Sequence, residues 1–304
     1  MCMPMTESKF KFLRELHEKH YKPLMLVTVA LLILSIVILG VTKITTGDFV
    51  YKDVSLSGGL AISIQTQEDF SLADLEKQIE SKTDLSVHIT SLRSAGSSQI
   101  VGYSFEFASQ DPEICKSAVS DATGIALAEG MYSIDQTSPT LGASFFSGMI
   151  KALLIAFVFM SIVVFLFFRV PVPSVAVILA AVSDVLGTLA IMNLFNIRLS
   201  TAGVAALLLL VGYSVDTDIL LSAKVLKSRD GSLTDRIASA FKTGITMQST
   251  SIIALIALYL ATPAPTLKAF ATVAIIGLAL DMINTWIQNV GILRWYVEQK
   301  NGQA

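Results

Sequence analysis

Six apolar runs, each long enough to cross a bilayer, alternate along the chain with polar stretches of very unequal length. Leu24 to Val41 is interrupted only by Thr28, Ser35 and Gly40. Further runs occupy residues 145–168, 172–195, 199–221, 245–261 and 267–290, parted by short proline-containing breaks at Pro171 to Pro173 and Thr262 to Thr266. At about 1.5 Å per helical residue a run of this length covers the roughly 30 Å of a hydrocarbon core. The pattern predicts six transmembrane helices: the first over 23–42 and a five-helix bundle over 143–293, with a tail at 294–304.

The interval 43–142 follows a different rule. Leu60 to Thr66, Leu85 to Leu92 and Gln99 to Phe107 alternate apolar and polar positions, as half-buried strands do, and Met131 to Thr137 predicts a last strand. Leu72 to Lys82 reads as a helix, with Ser71 and Asp74 at the spacing of a capping-box variant. A second helix starts after Asp111, with Pro112 in its first turn, and is expected to run to near Gly130. Turn-rich Ser94 to Ser98 separates the middle strands. The order is βαββαβ, which predicts a ferredoxin-like α+β domain inserted between helices 1 and 2.

Charge orients this arrangement. Lysine and arginine concentrate in the N-terminal segment 1–22, at Arg169, from Lys224 to Lys242 and after Val290, whereas the two short loops on the opposite side carry only Arg198 and Lys268. The positive-inside rule places both termini in the cytoplasm and the ferredoxin-like domain outside, in a multi-pass protein of the cell membrane. Lys9 to Lys22 forms a basic amphipathic helix suited to anionic lipid. Within the Lys224 to Lys242 loop, Asp230 to Ser232 marks a turn and Leu233, Ile237, Ala240 and Phe241 a short helix along the membrane. With 53% hydrophobic and 15% charged residues, the composition is that of a membrane protein rather than a soluble enzyme. Cys2 and Cys115 fall on opposite sides and cannot pair. No zinc, Walker A or dinucleotide motif is present, so no metal or cofactor, no nucleic-acid partner and no catalytic residue is expected.

Candidate chemistry gathers in the fourth run, where Gly212-Tyr213-Ser214-Val215-Asp216-Thr217-Asp218 sets two acids inside an apolar helix. Each buried charge there costs about 2.5–3.5 kcal/mol on insertion scales, so the pair faces protein or water rather than lipid. Asp216 and Asp218 lie about 200° apart around the helix and cannot share a face. Asp218 stacks with Ser214 and Ser222, and Asp216 with Gly212, so one acid is expected to face this chain's bundle and the other a partner. Asp184 sits at mid-depth in the third run, and Asp281 lies in the sixth near Asn284 and Thr285. For these two the plainer reading is a hydrogen bond across helices. Lys242, opening the fifth run, is the nearest expected counter-charge, while Lys151 and Lys268 are expected as interface anchors.

Several of these stretches match one family. Ser55-Leu56-Ser57-Gly58-Gly59 resembles its D-F-x-G-G pattern, keeping Gly58 and Gly59 and lacking the acid. Ser138-Pro139-Thr140-Leu141-Gly142 resembles G-P-x-L-G, ending at Gly142, and Ser183-Asp184-Val185 resembles H-D-V. Gly212-Tyr213-Ser214 keeps G-Y-S intact. On these motifs and the layout of one span, outer domain and five spans, the chain resembles the SecF family of protein-export membrane proteins, within the resistance-nodulation-division superfamily. Bacterial members follow G-Y-S-x with Asn-Asp-Thr, so Thr217 stands at the family's acid position with a carboxylate on either side. Lys242 stands where many members carry a basic residue. These departures imply an archaeal-type member. The resemblance implies an accessory role in Sec export with SecD as partner, a SecY-type channel and secreted polypeptides as clients, and a proton relay through the acids. Two other readings remain: a half-transporter for small molecules or lipids, and an intramembrane aspartyl protease. Against the protease, its GxGD motif is absent, and Asp184 and Asp216 differ in depth by roughly 9 Å.

Overall fold

The structure is a computed structural model that describes residues 21–83, 85–93, 99–128, 130–228, 231–262, 264–300 and 302. The basic N-terminal helix up to residue 20, the turn at Ser94 to Ser98 and the Asp230 turn position lie outside these residues.

Six helices are long and apolar enough to span a membrane. Helix α1 (Tyr21–Thr46) leads into a single turn, α2 (Val54–Ser57), and the sheet domain follows: β1 (Gly59–Gln65), α3 (Leu72–Thr83), β2 (Val87–Arg93), β3 (Ile100–Phe107), α4 (Pro112–Thr123) and β4 (Tyr132–Thr137). The remaining spans are α5 (Pro139–Phe168), α6 (Pro171–Leu194), α7 (Thr201–Lys227), α8 (Leu233–Ala261) and α9 (Pro265–Ile283). The last continues through a π-helical segment, Asn284–Asn289, into α10 (Val290–Lys300). Helices α6 and α7 are the most enclosed, whereas α1, α5 and α8 keep most of their apolar side chains on the outside, as lipid contact requires.

In the sheet domain the strands run in the order β2-β3-β1-β4, antiparallel throughout. Register follows the alternation in sequence: Leu60 opposes Phe107, Ile62 opposes Phe105 and Ile64 opposes Tyr103, all buried. Leu75 and Ile79 of α3 and Cys115 and Val119 of α4 close this core from one side.

Three local expectations are corrected. Helix α4 ends at Thr123 instead of near Gly130, because Gly124 takes a left-handed conformation (φ 72°) and its N–H caps the Ser120 carbonyl. The reciprocal side-chain capping bonds expected at Ser71 and Asp74 are not made, although the Ser71 carbonyl accepts from the N–H groups of Asp74 and Leu75. A full capping box forms instead between Ser232 and Asp235. That box starts α8, and Leu233 to Phe241 is the first part of this 29-residue span, not a separate surface helix. Nothing between Phe241 and Ile245 breaks the helix: Gly244 is the only weak former there, and it sits against Trp286.

The motif glycines join the domain to the spans. Gly58 (φ 80°) and Gly142 lie where α2 meets the first turn of α5. A Cβ on Gly58 would strike the Pro139 backbone, and one on Gly142 would come within 2.8 Å of Gly58 N. Gly59 (φ 137°) leaves no room for a side chain beside the Phe107 carbonyl. Here glycine is required by contact as well as by backbone angle.

Candidate functional site

The centre of the bundle holds a polar network built around three aspartates. Asp184 on α6, Asp218 on α7 and Asp281 on α9 are each 1% exposed or less. Helix periodicity puts them there: each lies on the stripe of its span that faces the other two spans, where the neighbouring small and apolar positions are also buried.

Each carboxylate is met by donors from another span. Asp184 Oδ2 accepts from the Ser214 hydroxyl at 2.6 Å and Oδ1 from Asn284 Nδ2 at 2.7 Å. Asp218 Oδ1 accepts from Thr285 Oγ1 at 2.9 Å and Asn289 Nδ2 at 2.7 Å. Asp281 Oδ2 accepts from Gln248 Nε2 on α8 at 2.7 Å, and its Oδ1 lies 3.0 Å from the same Thr285 hydroxyl. Trp286 Nε1 donates to Gln248 Oε1 at 2.8 Å, and these bonds together tie four spans to one another. Thr285 therefore offers one hydrogen to two carboxyl oxygens.

The π-helical segment supplies Asn284, Thr285, Trp286, Gln288 and Asn289, all buried. Segments of this kind are frequent at functional sites because the extra residue per turn re-aims side chains. Several polar atoms remain without a partner among the described residues: Asp218 Oδ2, Ser222 Oγ, Asn289 Oδ1 and both amide atoms of Gln288. Among the described residues, no basic side chain makes an ion pair with the three acids. Among the described residues, no group of three or more histidine, cysteine or acidic side chains could hold a metal ion.

The residues singled out in sequence fall in four places. Asp184, Ser214 and Asp218 enter the network, and Thr217 is buried beside it, its hydroxyl turned to the Tyr213 carbonyl at 3.4 Å. Tyr213 links α7 to α8, its hydroxyl 2.9 Å from the Met247 carbonyl and 2.5 Å from Ser251 Oγ. Asp216, Gly212 and Lys242 lie on the exterior of the bundle, and neither charged side chain has a polar partner among the described residues. The expected counter-charge between Lys242 and the acids is thus not made within this chain. Gly58, Gly59 and Gly142 belong to the domain junction, remote from the network in sequence and in contact. Sequence reasoning missed Gln248, Asn289 and Trp286. For Asn289 and Trp286 the one signal was the dense run of polar side chains from Asn284 to Asn289 inside an otherwise apolar span, and Gln248 had none.

Comparison with known proteins supplies the family. A family model described as protein export membrane protein SecD/SecF, C-terminal, matches residues 120–299. The SecF protein-export membrane protein of Pyrococcus furiosus is 36% identical over 270 residues, covering 89% of each chain. That of Methanocaldococcus jannaschii is 37% identical over 287 residues, covering 92% of this chain and 97% of its own. The crystal structure of SecDF from Thermus thermophilus, a translocon-associated membrane protein, superposes with a TM-score of 0.72 at 18% identity, which shows a shared fold. It covers 92% of this chain, which in turn spans 38% of that longer one. With identity above one third along almost the whole of both chains, and six membrane-spanning helices in the matching fold, this chain belongs to the SecF family of protein-export membrane proteins.

Proposed function

We propose that the chain is an accessory subunit of Sec protein export that works with a SecD partner, and that the Asp184–Asp218–Asp281 network couples the work to a proton gradient. One observation carries the coupling: three fully buried aspartates accept hydrogen bonds across four spans, and among the described residues no basic side chain pairs with them. Unneutralised charge of that kind is too costly to keep in a dry core, so protons are the natural balance. A proton on Asp218 or Asp281 also completes the Thr285 link, which is one hydrogen short of serving both acceptors. The unpartnered Asp218 Oδ2 and Ser222 Oγ, one helical turn apart on α7, are polar atoms from which a proton could be passed on. Asp184 and Asp218 have separate donors, Ser214 and Asn284 against Thr285 and Asn289, which favours a relay over the single shared proton of a protease dyad.

The exterior of α7 and α8 supports the partnership. Asp216 and Lys242 stand exposed on spans, and a carboxylate left against lipid costs about 2.5–3.5 kcal/mol. Gly212, with open space where a side chain would be, permits a second helix to come close. The solved SecDF, of which this fold spans 38%, favours a SecD-type partner for the chain. A SecY-type channel and secreted polypeptides follow as further partners. The distribution of lysine and arginine favours cytoplasmic termini and an external sheet domain. The βαββαβ order and the β2-β3-β1-β4 antiparallel sheet favour a ferredoxin-like domain.

Purification in mild detergent tests the partnership. A second multi-span protein is expected to co-purify with the chain and to be retained less well by the Asp216→Leu variant. A chain that purifies alone while its channel stays intact, with normal export by that variant, overturns the reading.

A further inference from the structure

Where the sheet meets the spans, two acids face one guanidinium. Glu106 on β3 is 18% exposed at its side chain, and its Oε2 lies 3.5 Å from Arg198 Nη1 in the loop between α6 and α7. Asp53, just before α2, is held to the same loop by its N–H, which donates to the Leu199 carbonyl at 3.0 Å. Its Oδ1 is already engaged, accepting from Ser55 N at 2.9 Å and the Ser55 hydroxyl at 2.5 Å. On β2, His88 stands directly opposite Glu106, with Nδ1 3.5 Å from Glu76 Oε1 of α3. On the other side β1 contributes the uncharged Ala61, beyond which lies Asp135 of β4. Asp53 is committed to its cap, so Glu106 is the acid free to change state. One other side-chain hydrogen bond joins the strands to the spans among the described residues, from Lys268 Nζ to the Arg93 carbonyl at 2.7 Å.

We propose that Glu106 is a proton-operated clamp: protonated, it lets the sheet domain close on the ends of the spans, and ionised, it opens that junction to water. Only a proton from the surrounding medium is exchanged. Closing the junction buries a second negative charge beside Asp53, and Arg198, shared and 35% exposed, offsets only one. Burial, then Asp53, push Glu106 from its usual range near 4.5 up to about 7, with Arg198 opposing them. Burial and Arg198 push His88 the other way, below the usual histidine value, so it stays neutral near pH 7. The sign follows. A carboxyl with a raised value holds its proton better in the closed form, so closure is favoured at low pH and loses that advantage as pH rises from about 4.5 to about 7. The open-to-closed ratio should climb about tenfold per pH unit in that window and then level off. The clamp stands apart from the partner and proton-coupling proposals; the orientation decides only which compartment's pH it senses.

Pulsed electron resonance on the full chain in lipid nanodiscs tests it. Nitroxides on Ser117→Cys and Thr266→Cys, both exposed, report the distance between domain and spans in a Cys2→Ser background. A longer-distance population should grow from pH 5 to about 7 and then stop growing, and Glu106→Gln should hold the short distance at every pH. A wild-type distribution indifferent to pH from 5 to 8, or an equal response in Glu106→Gln, overturns the clamp. Arg198→Gln, which removes the cation and keeps both acids, should move the plateau above pH 7. An unchanged profile in that variant also overturns it, so the test does not depend on Glu106→Gln folding.

Discussion

Replacing Thr285 by valine removes one hydroxyl and changes the shape of the side chain very little. The native hydroxyl lies 2.9 Å from Asp218 Oδ1 and 3.0 Å from Asp281 Oδ1, in a residue with no exposed surface. Without it Asp281 Oδ1 has no donor among the described residues, because Gln248 serves Oδ2, and Asp218 keeps Asn289 alone. Leaving one buried acceptor unpaired costs about 1–3 kcal/mol. Against that, hydrogen bonds between membrane helices average about 0.6 kcal/mol and reach about 1.7, since the unfolded chain in lipid also finds partners. Two carboxyl acceptors lose one shared donor here, which puts the expected loss at the upper end, about 1–2 kcal/mol. Ser222→Ala is the internal control. Its hydroxyl is equally buried but unpartnered, so removing it should leave stability unchanged or slightly raised. Unfolding of the purified protein by graded denaturing detergent, followed by tryptophan fluorescence, measures both. Thr285→Val within about 0.5 kcal/mol of wild type, or no more damaging than Ser222→Ala, would refute the claim that this hydroxyl ties two spans together.

Other substitutions probe the surroundings. Gly244→Ala places a methyl group against the Trp286 ring and should lower stability by about 1–3 kcal/mol in the same assay, through overpacking. Gly212→Ala meets open space and should stabilise the isolated chain by up to about 1 kcal/mol, while weakening partner retention in a pull-down if a helix packs there. Cys115 is fully buried, so an impermeant thiol reagent should label it only after denaturation, whichever side the domain occupies. Residues 48–138 expressed alone should be soluble and give a mixed helix and strand circular dichroism spectrum; a random-coil spectrum would show that the core around Phe105 needs the spans.

The spans were legible because apolar runs of such length have few alternatives, and the strands because Leu60, Ile62 and Ile64 alternate against Phe107, Phe105 and Tyr103. Local stops were harder. Ile125 to Ala128 looks helical in composition, but Gly124 had already turned the chain, and composition does not report φ. Lys242 and Thr243 disguised the continuity of α8 by putting polar residues in the middle of a helix whose first turns lie beyond the apolar stretch. At the site, Asp184 and Asp218 announced themselves as charges in apolar runs, and helical angle alone separated Asp218 from Asp216. Gln248 and Asn289 did not, since a neutral amide carries no charge that demands a partner and the partner it finds lies tens of residues away. The Glu106–Arg198 contact joins positions 92 apart, and neither residue is unusual in its own segment.

In the proposed mechanism the buried acids, rather than the exposed Asp216 and Lys242, couple export to the proton gradient. Gradient-stimulated translocation into vesicles reconstituted with the chain, its partner and the channel tests it most directly when Asp218→Asn is compared with wild type. The amide keeps an acceptor for Thr285 but cannot take up and release a proton at neutral pH. The variant is expected to assemble with its partner normally and its export to fall to the level measured without a gradient. Full gradient stimulation by Asp218→Asn in an intact complex would contradict it.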